Sequence, residues 1–266
     1  GYTLADGTAF GGTAEGEPLY RFYGPVMDRI LQTDEEAANA YYDNQSKGYN
    51  PLTGESVPGR KFAGDYEWKN RKGSSTIMVD GVEREQISKE DVFLLGYTVP
   101  HSTGGFSNTV TFKNFTFNLY LDFALGHSVY NTNKARFFLN TFEGNYAVHE
   151  DVKKCWTGYG DTKAKYARFV TSDELQSNNF RSSSVFCTKG DYLCLREISV
   201  SYQLPGKWVN KVGLSDVAVS LAGNNLYYLT AVEGVSPEVG TSTTYGSSYN
   251  NYPPVRRFTL GIKVTL

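Results

Sequence analysis

Phe115-Thr116-Phe117-Asn118-Leu119-Tyr120-Leu121-Asp122-Phe123-Ala124-Leu125 has an apolar residue at every odd position, with Thr116, Asn118, Tyr120, Asp122 and Ala124 between them. Strict alternation at period two predicts a strand with one apolar face and one mostly polar face. A strand that crosses the hydrocarbon layer of an outer membrane needs about 9 to 11 tilted residues. Strands of soluble proteins are usually about 5 or 6 residues long. The stretch therefore predicts an all-β fold, a transmembrane antiparallel β-barrel, in which the odd residues face lipid and the even residues face the lumen.

Working outward, Phe106, Asn108, Val110 and Phe112 share one face of the preceding segment, and Ser107, Thr109, Thr111 and Lys113 take the other. Lys113-Asn114 then joins two long amphipathic strands in a tight hairpin. Three further strands are predicted downstream. Ile198, Val200, Tyr202 and Leu204 alternate with Glu197, Ser199, Ser201 and Gln203; a second strand runs from about Val217 to Leu229; and Phe258, Leu260, Ile262, Val264 and Leu266 alternate with Arg257, Thr259, Gly261, Lys263 and Thr265. The connections at 113–114 and 205–215 are short, whereas those at 131–186 and 231–254 are long. That asymmetry matches the periplasmic turns and extracellular loops of an outer-membrane barrel, and it puts the C-terminus in the periplasm.

The remainder reads as loop-rich. Thr33-Asp34-Glu35-Glu36 has capping-box spacing and predicts a short helix through about Tyr42. Residues 43–100 are punctuated by Gly, Pro, Asn and Ser, which suits long loops with short strands. Helical pieces are expected around Ala135 to Phe142 and His149 to Trp156. The organisation expected is an extracellular-loop-rich part, 1–100, followed by C-terminal transmembrane strands and their loops, 101–266.

Composition agrees with this architecture and excludes others. Aromatics are 15% of the 266 residues, with 20 Tyr, 27 Gly and only 2 Met, a profile suited to strands, turns and aromatic girdles. No run of about 18 apolar residues occurs, so no transmembrane helix is expected. A net charge of −2 leaves no electrostatic footprint for nucleic acid. The sequence opens at Gly1 without a Met or a secretory leader pattern, which suits removal of a leader or a position late in a longer polypeptide. Cys155, Cys187 and Cys194 match no CxxC pattern, and Cys155 and Cys187 read either as a disulfide or as free thiols.

The last part of the chain carries a recognisable pattern. Asp191-Tyr192-Leu193-Cys194-Leu195-Arg196-Glu197-Ile198-Ser199-Val200-Ser201-Tyr202-Gln203-Leu204-Pro205, Gly223-Asn224-Asn225-Leu226 with Leu229-Thr230, Gly234-Val235-Ser236-Pro237-Glu238 and Tyr252-Pro253-Pro254-Val255-Arg256-Arg257-Phe258-Thr259-Leu260-Gly261 occur in this order. Together they resemble the C-terminal signature of SusC-like (SusC/RagA family) TonB-dependent transporters of Bacteroidetes outer membranes. Weaker likeness extends to residues 15–24 and 100–123. The resemblance implies the C-terminal portion of a barrel of about 22 strands. The partners it implies are the rest of the SusC-like chain with its plug, TonB, outer-membrane lipid and a SusD-like surface lipoprotein that closes over oligosaccharide or peptide. Members often carry an acidic loop suited to calcium. The matching stretch here, residues 64–73, holds Lys69, Arg71 and Lys72 where carboxylates are needed, so no metal is expected. Leu266 stands where the family usually has an aromatic.

Catalytic, cofactor and metal sites are not expected. His101, His127 and His149 lack partners at ligand spacing and read as loop or strand-end histidines. Asp122 reads as a hydrated, lumen-facing carboxylate whose replacement by Asn costs little. No GxSxG, phosphate loop or HExxH occurs, so enzyme function is disfavoured. Trp68, Trp156, Tyr159, Tyr245 and Tyr249 fall on the expected outer loops, where packing of loops is favoured over ligand binding. Substrate-binding residues are unassigned. The alternative reading is a secreted β-sandwich carbohydrate-binding module, whose apolar strand faces would be buried in a dry core.

Overall fold

The computed structural model describes residues 2–3, 9–10, 16, 21–44, 46, 48, 50–71, 75–131, 134, 150–169, 178–179, 181, 183–238 and 254–266. The helical piece expected at 135–142 lies outside these residues, as do His149, Tyr245 and Tyr249. The chain divides into two compact units, one comprising residues 1–98, 130–188 and 244–250, the other residues 99–129, 189–243 and 251–266.

The second unit is a five-stranded antiparallel meander: β1 (Ser102–Phe112), β2 (Phe115–Leu125), β3 (Tyr192–Gln203), β4 (Asp216–Thr230) and β5 (Arg257–Thr265), hydrogen-bonded in chain order. The two-residue turn between β1 and β2 is as expected, and Lys113 takes φ 52° there, a left-handed conformation that the tight reversal demands. Register is in agreement with the alternation. Phe112, Val110, Asn108 and Phe106 lie opposite Phe115, Phe117, Leu119 and Leu121, and on the other side of β2 the first three of these meet Tyr202, Val200 and Ile198. At about 3.3 Å per residue, the 11 residues of β2 extend roughly 36 Å, and a tilt near 45° projects that to about the 25 Å height of a membrane barrel's apolar band.

The two faces differ as the sequence implies. On β5, Phe258, Leu260 and Ile262 are 72%, 69% and 68% exposed, and Val110, Phe117 and Leu221 are exposed on the same side. That apolar side is exposed, whereas the β-sandwich alternative needs it buried in a dry core. The opposite face carries a polar ladder. Thr109 Oγ1 donates to Asn118 Oδ1 at 2.8 Å, and Asn118 Nδ2 donates to Ser199 Oγ at 3.1 Å.

The first unit is built from short strands and loops. Arg21–Gly24 pairs with Phe93–Tyr97, Met27–Ile30 with Tyr66–Trp68, and Thr76–Val79 with Val82–Ile87. The last pair turns at Asp80-Gly81, both at positive φ (53° and 77°), as a two-residue hairpin requires. Helix α1 (Asp34–Ala38) is shorter than expected. Thr33 caps it, accepting from the Glu36 N–H at 3.2 Å, but the Glu36 carboxylate reaches past Thr33 to the N–H of Gln32 at 2.7 Å. Asn39 ends the helix, its backbone and side-chain N–H groups both donating to the Glu35 carbonyl. The expected helix at 149–156 is a 3₁₀ segment, Glu150–Lys154.

Two small apolar clusters form the core of this unit. Tyr66, Trp68, Ile87 and Ala167 make one, and Cys155, Tyr166 and Phe186 the other. Buried ion pairs stand beside them: Lys61 Nζ is 2.6 Å from Glu67, Arg168 Nε is 2.7 Å from Asp65, and Arg181 pairs with Asp43. Asp65 also accepts from the Phe62 N–H and the Asn179 amide, and Glu67 from the Tyr41 and Trp68 N–H groups. The carboxylates of the 64–73 stretch are therefore committed to cations and amides of the chain itself.

Candidate functional site

On the polar face of the meander, Asp122 and Arg196 meet at one level. Between the pairs Leu119–Ile198–Gly223 and Leu121–Leu195–Tyr227, β2 advances from 119 to 121, β3 from 195 to 198 and β4 from 223 to 227. Each strand inserts one residue more than its neighbour. A bulge of this kind bends the strand and re-aims side chains, and here it carries Arg196 onto the side that holds Asp122.

Arg196 is then fully engaged. A guanidinium has five N–H donors; Nε and Nη2 each donate to Asp122 at 2.7 Å, Nη1 donates to Asn225 Oδ1 at 2.9 Å and to Tyr228 Oη at 3.1 Å, and Nη2 also donates to Glu238. The Tyr228 hydroxyl donates to the same Glu238 carboxylate at 2.9 Å. Asn225, which supplies one acceptor, holds φ 53° in the bulge of β4. Asp122 is thus one arm of a bidentate pair and not the freely hydrated carboxylate that alternation alone suggests.

Glu238 closes the segment 234–238, and a second anchor holds its neighbour. The ring Nε2 of His127 is 3.0 Å from the Pro237 carbonyl, with which it bonds as donor. His127 is only 2% exposed, so this strand-end histidine is a buried brace. Gly190 makes room for the ring: a Cβ at that position would sit 2.4 Å from Nε2. Tyr192 meets His127 edge-on at 6.3 Å and Tyr228 at 5.9 Å, joining the two anchors through one aromatic row.

Two carboxylates and one guanidinium leave this cluster net negative. It contains no nucleophile held against a base, and among the described residues no group of three or more His, Cys, Asp or Glu side chains is arranged to hold a metal. Its chemistry is that of a fixed polar wall to which a chain segment is pinned.

The other sequence candidates are placed individually. Trp68 is fully buried, donates its indole N–H to Asn178 Oδ1 at 2.8 Å and carries the Arg181 guanidinium 5.0 Å from its ring, so it packs the loop unit. Trp156 donates to Gln32 at 3.1 Å, and the exposed Tyr159 donates to Asp34 at 2.6 Å. Cys155, Cys187 and Cys194 are all free thiols, which settles the open pairing of Cys155 and Cys187 in favour of no disulfide. Sequence reasoning missed Arg196. The signal was present as a break in parity, since Leu193 and Leu195 are odd whereas the outward residues that follow, Ile198, Val200 and Tyr202, are even.

An antiparallel meander, open and apolar on one side and polar and ion-paired on the other, has the make-up of a membrane-barrel wall. The proteins similar to it are of that class. The chain is 27% identical over 258 residues to TonB-dependent receptor P3 of Formosa agariphila, covering 94% of this chain and 22% of the relative. TonB-dependent receptor P26 of the same organism is 26% identical, covering 80% of this chain and 23% of its own length. No protein-family model matches. Among solved structures, a chain of the RagAB peptide transporter aligns over 92% of this chain and 23% of its own, with TM-score 0.62 and 18% identity. The RagAB peptide importer in its open-open state gives TM-score 0.58 at 18% identity, over 92% and 22%. The resemblance to SusC/RagA-like TonB-dependent receptors carried by the terminal motifs is borne out, and the named relatives are receptors and transporters, not enzymes. This chain spans about a quarter of the length of the curated relatives it matches.

Proposed function

We propose that this chain is the C-terminal wall and outer-loop portion of a TonB-dependent outer-membrane importer, which takes up oligosaccharides or peptides beneath a SusD-like lipoprotein lid. The observation that carries the reading is the two-faced meander: strands of 9 to 15 residues whose apolar side is exposed and whose other side is polar and satisfied. An uncovered apolar face of that extent is unfavourable in water at about 25 cal/mol per Å², and hydrocarbon removes the penalty. On this reading the apolar side faces lipid, the Arg196 side faces the lumen, the short turns and the C-terminus lie in the periplasm, and residues 1–100 supply extracellular loops. About 22 strands would close the barrel, the rest coming from the same longer polypeptide together with plug and TonB-coupling segment. The naming of solved neighbours as peptide importers supports peptide as the first substrate class to test.

The experiment is fractionation and uptake. The full-length receptor is expected in the outer membrane, to need detergent for extraction and to run faster on gels before boiling than after. Deletion of its gene is expected to abolish TonB-dependent uptake of labelled peptides or oligosaccharides. A full-length protein that stays soluble without detergent refutes the reading.

A further inference from the structure

Cations gather at the short-turn end of the meander. Lys113, Lys207 and Lys211 are exposed and have no carboxylate partner among the described residues. All three belong to one end of the sheet. Lys113 sits in the β1–β2 turn. Lys207 and Lys211 sit in the β3–β4 connection, where a helical turn, Gly206–Val209, runs into a 3₁₀ turn, Asn210–Val212. The two connections touch, since Gln203 N–H donates to the Asn114 carbonyl at 2.8 Å and the Asn114 amide donates back to the Gln203 carbonyl at 2.7 Å.

Apolar groups accompany these cations where a water-facing turn would not need them. Val209 is buried and fixes the inner side of the helical turn; Trp208 and Val212, four residues apart, are 62% and 70% exposed. Residues at that spacing lie on one side of a helical turn, and so do Lys207 and Lys211. At the hairpin, Phe112 and Phe115 are exposed, Phe115 packs on Tyr202 at 4.6 Å, and the Lys113 ammonium lies 5.3 Å from the Phe112 ring. These rings end the apolar face of β1, β2 and β3 and continue directly from it.

We propose that this end is a docking surface for anionic phospholipid in the periplasmic leaflet, with Trp208 and Phe112 seated at the level of the headgroups and Lys113, Lys207 and Lys211 on the phosphates. The reading rests on the barrel assignment above. Aromatic rings with one apolar and one wet side prefer the interface, and lysine stems lie along apolar surface while the ammonium reaches the headgroup layer. Three unpaired cations beside exposed rings complement a net-negative phosphate layer, whereas a zwitterionic headgroup sets its own fixed cation beside each phosphate and gives no net counter-charge.

The test uses the full-length receptor, purified in a non-ionic detergent and delipidated. Phosphatidylglycerol and phosphatidylcholine are titrated in separately, and bound lipid is counted by native mass spectrometry. The wild type is expected to bind phosphatidylglycerol in preference. A cation near an anionic surface contributes roughly a fivefold change in affinity, so K113Q, K207Q and K211Q are each expected to weaken that binding by about that factor, leaving phosphatidylcholine unchanged. Trp208→Ala is expected to weaken both lipids. Undiminished phosphatidylglycerol binding by the triple lysine variant overturns the proposal, and so does displacement of the lipid by millimolar inorganic phosphate, which would mark a site for free anions. Heat-shifted mobility on gels is recorded for every variant. A receptor that lacks it fails as a barrel; one that keeps it but ignores phosphatidylglycerol overturns only this proposal.

Discussion

Replacing Arg196 and Asp122 singly and together measures the cluster on the polar face. Fully exposed ion pairs contribute about 0.2–1 kcal/mol, and breaking a fully buried one costs about 3–5 kcal/mol. The Arg196 and Asp122 side chains are 26% and 17% exposed, which places the pair between these limits but nearer the buried one. Asp122→Asn keeps one acceptor oxygen, so one of the two 2.7 Å bonds survives, and it also lowers the excess of negative charge. A cost of about 1–2 kcal/mol is expected. Arg196→Gln removes the cation from between two carboxylates that remain, Asp122 and Glu238, and the expected cost is about 3 kcal/mol. In the double variant, the neutral amide at position 122 relieves that repulsion, so the combined cost is expected to fall short of the sum by about 1–2 kcal/mol. The assay is urea unfolding of the full-length receptor in detergent, with proteolysis of segment 231–238 as a local readout. Asp122→Asn within about 0.5 kcal/mol of wild type, with strict additivity, would refute the reasoning and restore the hydrated carboxylate.

The outward face is tested by Leu121→Arg, expected to cost roughly 2–4 kcal/mol in a lipid-embedded barrel; the same unfolding assay checks it, and tolerance equal to that of conservative changes on the polar face would argue against the assigned sides. In the loop unit, burial opposes the charge on Asp151, but hydrogen bonds from Lys134 and Lys154 outweigh it and hold the carboxyl well below the usual carboxylate range. A folded value below the unfolded one gives stability that is present above about pH 4 and lost as pH falls further, so the hydrogen-exchange protection factors at 150–155, corrected for the pH dependence of intrinsic exchange, are expected to be flat from pH 7 to 5 and to fall below pH 4, with Lys134→Met weakening that dependence. Burial, with the Asp151 charge as a lesser contribution, pushes the Cys155 thiol up to about 11, so maleimide is expected to label it at pH 7.5 only after unfolding. Gly190→Ala forces a Cβ to 2.4 Å from the His127 ring and is expected to cost about 1–3 kcal/mol by overpacking, read as faster proteolysis near Pro237.

The strands were legible because two physical periods coincide in them. In β2 every odd side chain meets one environment, so parity alone assigns its faces, and a two-residue turn leaves β1 no choice of register. The same logic fails at Arg196, where an added residue breaks the parity and turns a position that looks outward toward the polar side. The loop unit was illegible for a different reason. Its core depends on pairs distant in sequence, such as Asp65 with Arg168 and Trp68 with Asn178, and no local period encodes them. Trp68 illustrates this: loop packing was the favoured reading for it, but its partner Asn178 stands 110 positions away. The capping box was read correctly at Thr33 but not in its reciprocal arm, because Glu36 has the reach to choose between two adjacent N–H groups.

The bulge also explains why three of the terminal motifs occur together. Arg196 belongs to the first, Asn225 to the second and Glu238 to the third, and none of the three has its observed partners without the others. The insertion in β3 aims the guanidinium, the insertion in β4 brings Asn225 and Tyr228 beneath it, and Ser236 accepts from the Glu238 N–H at 3.2 Å to hold the acid in place. His127 adds a brace at the Pro237 carbonyl, one residue before the acid. Lifting the segment would leave a guanidinium donor, a phenol and a buried imidazole without partners at once, at about 1–3 kcal/mol for each unmet group. The segment is accordingly fixed to the polar face of the sheet by its charged end and by its backbone together.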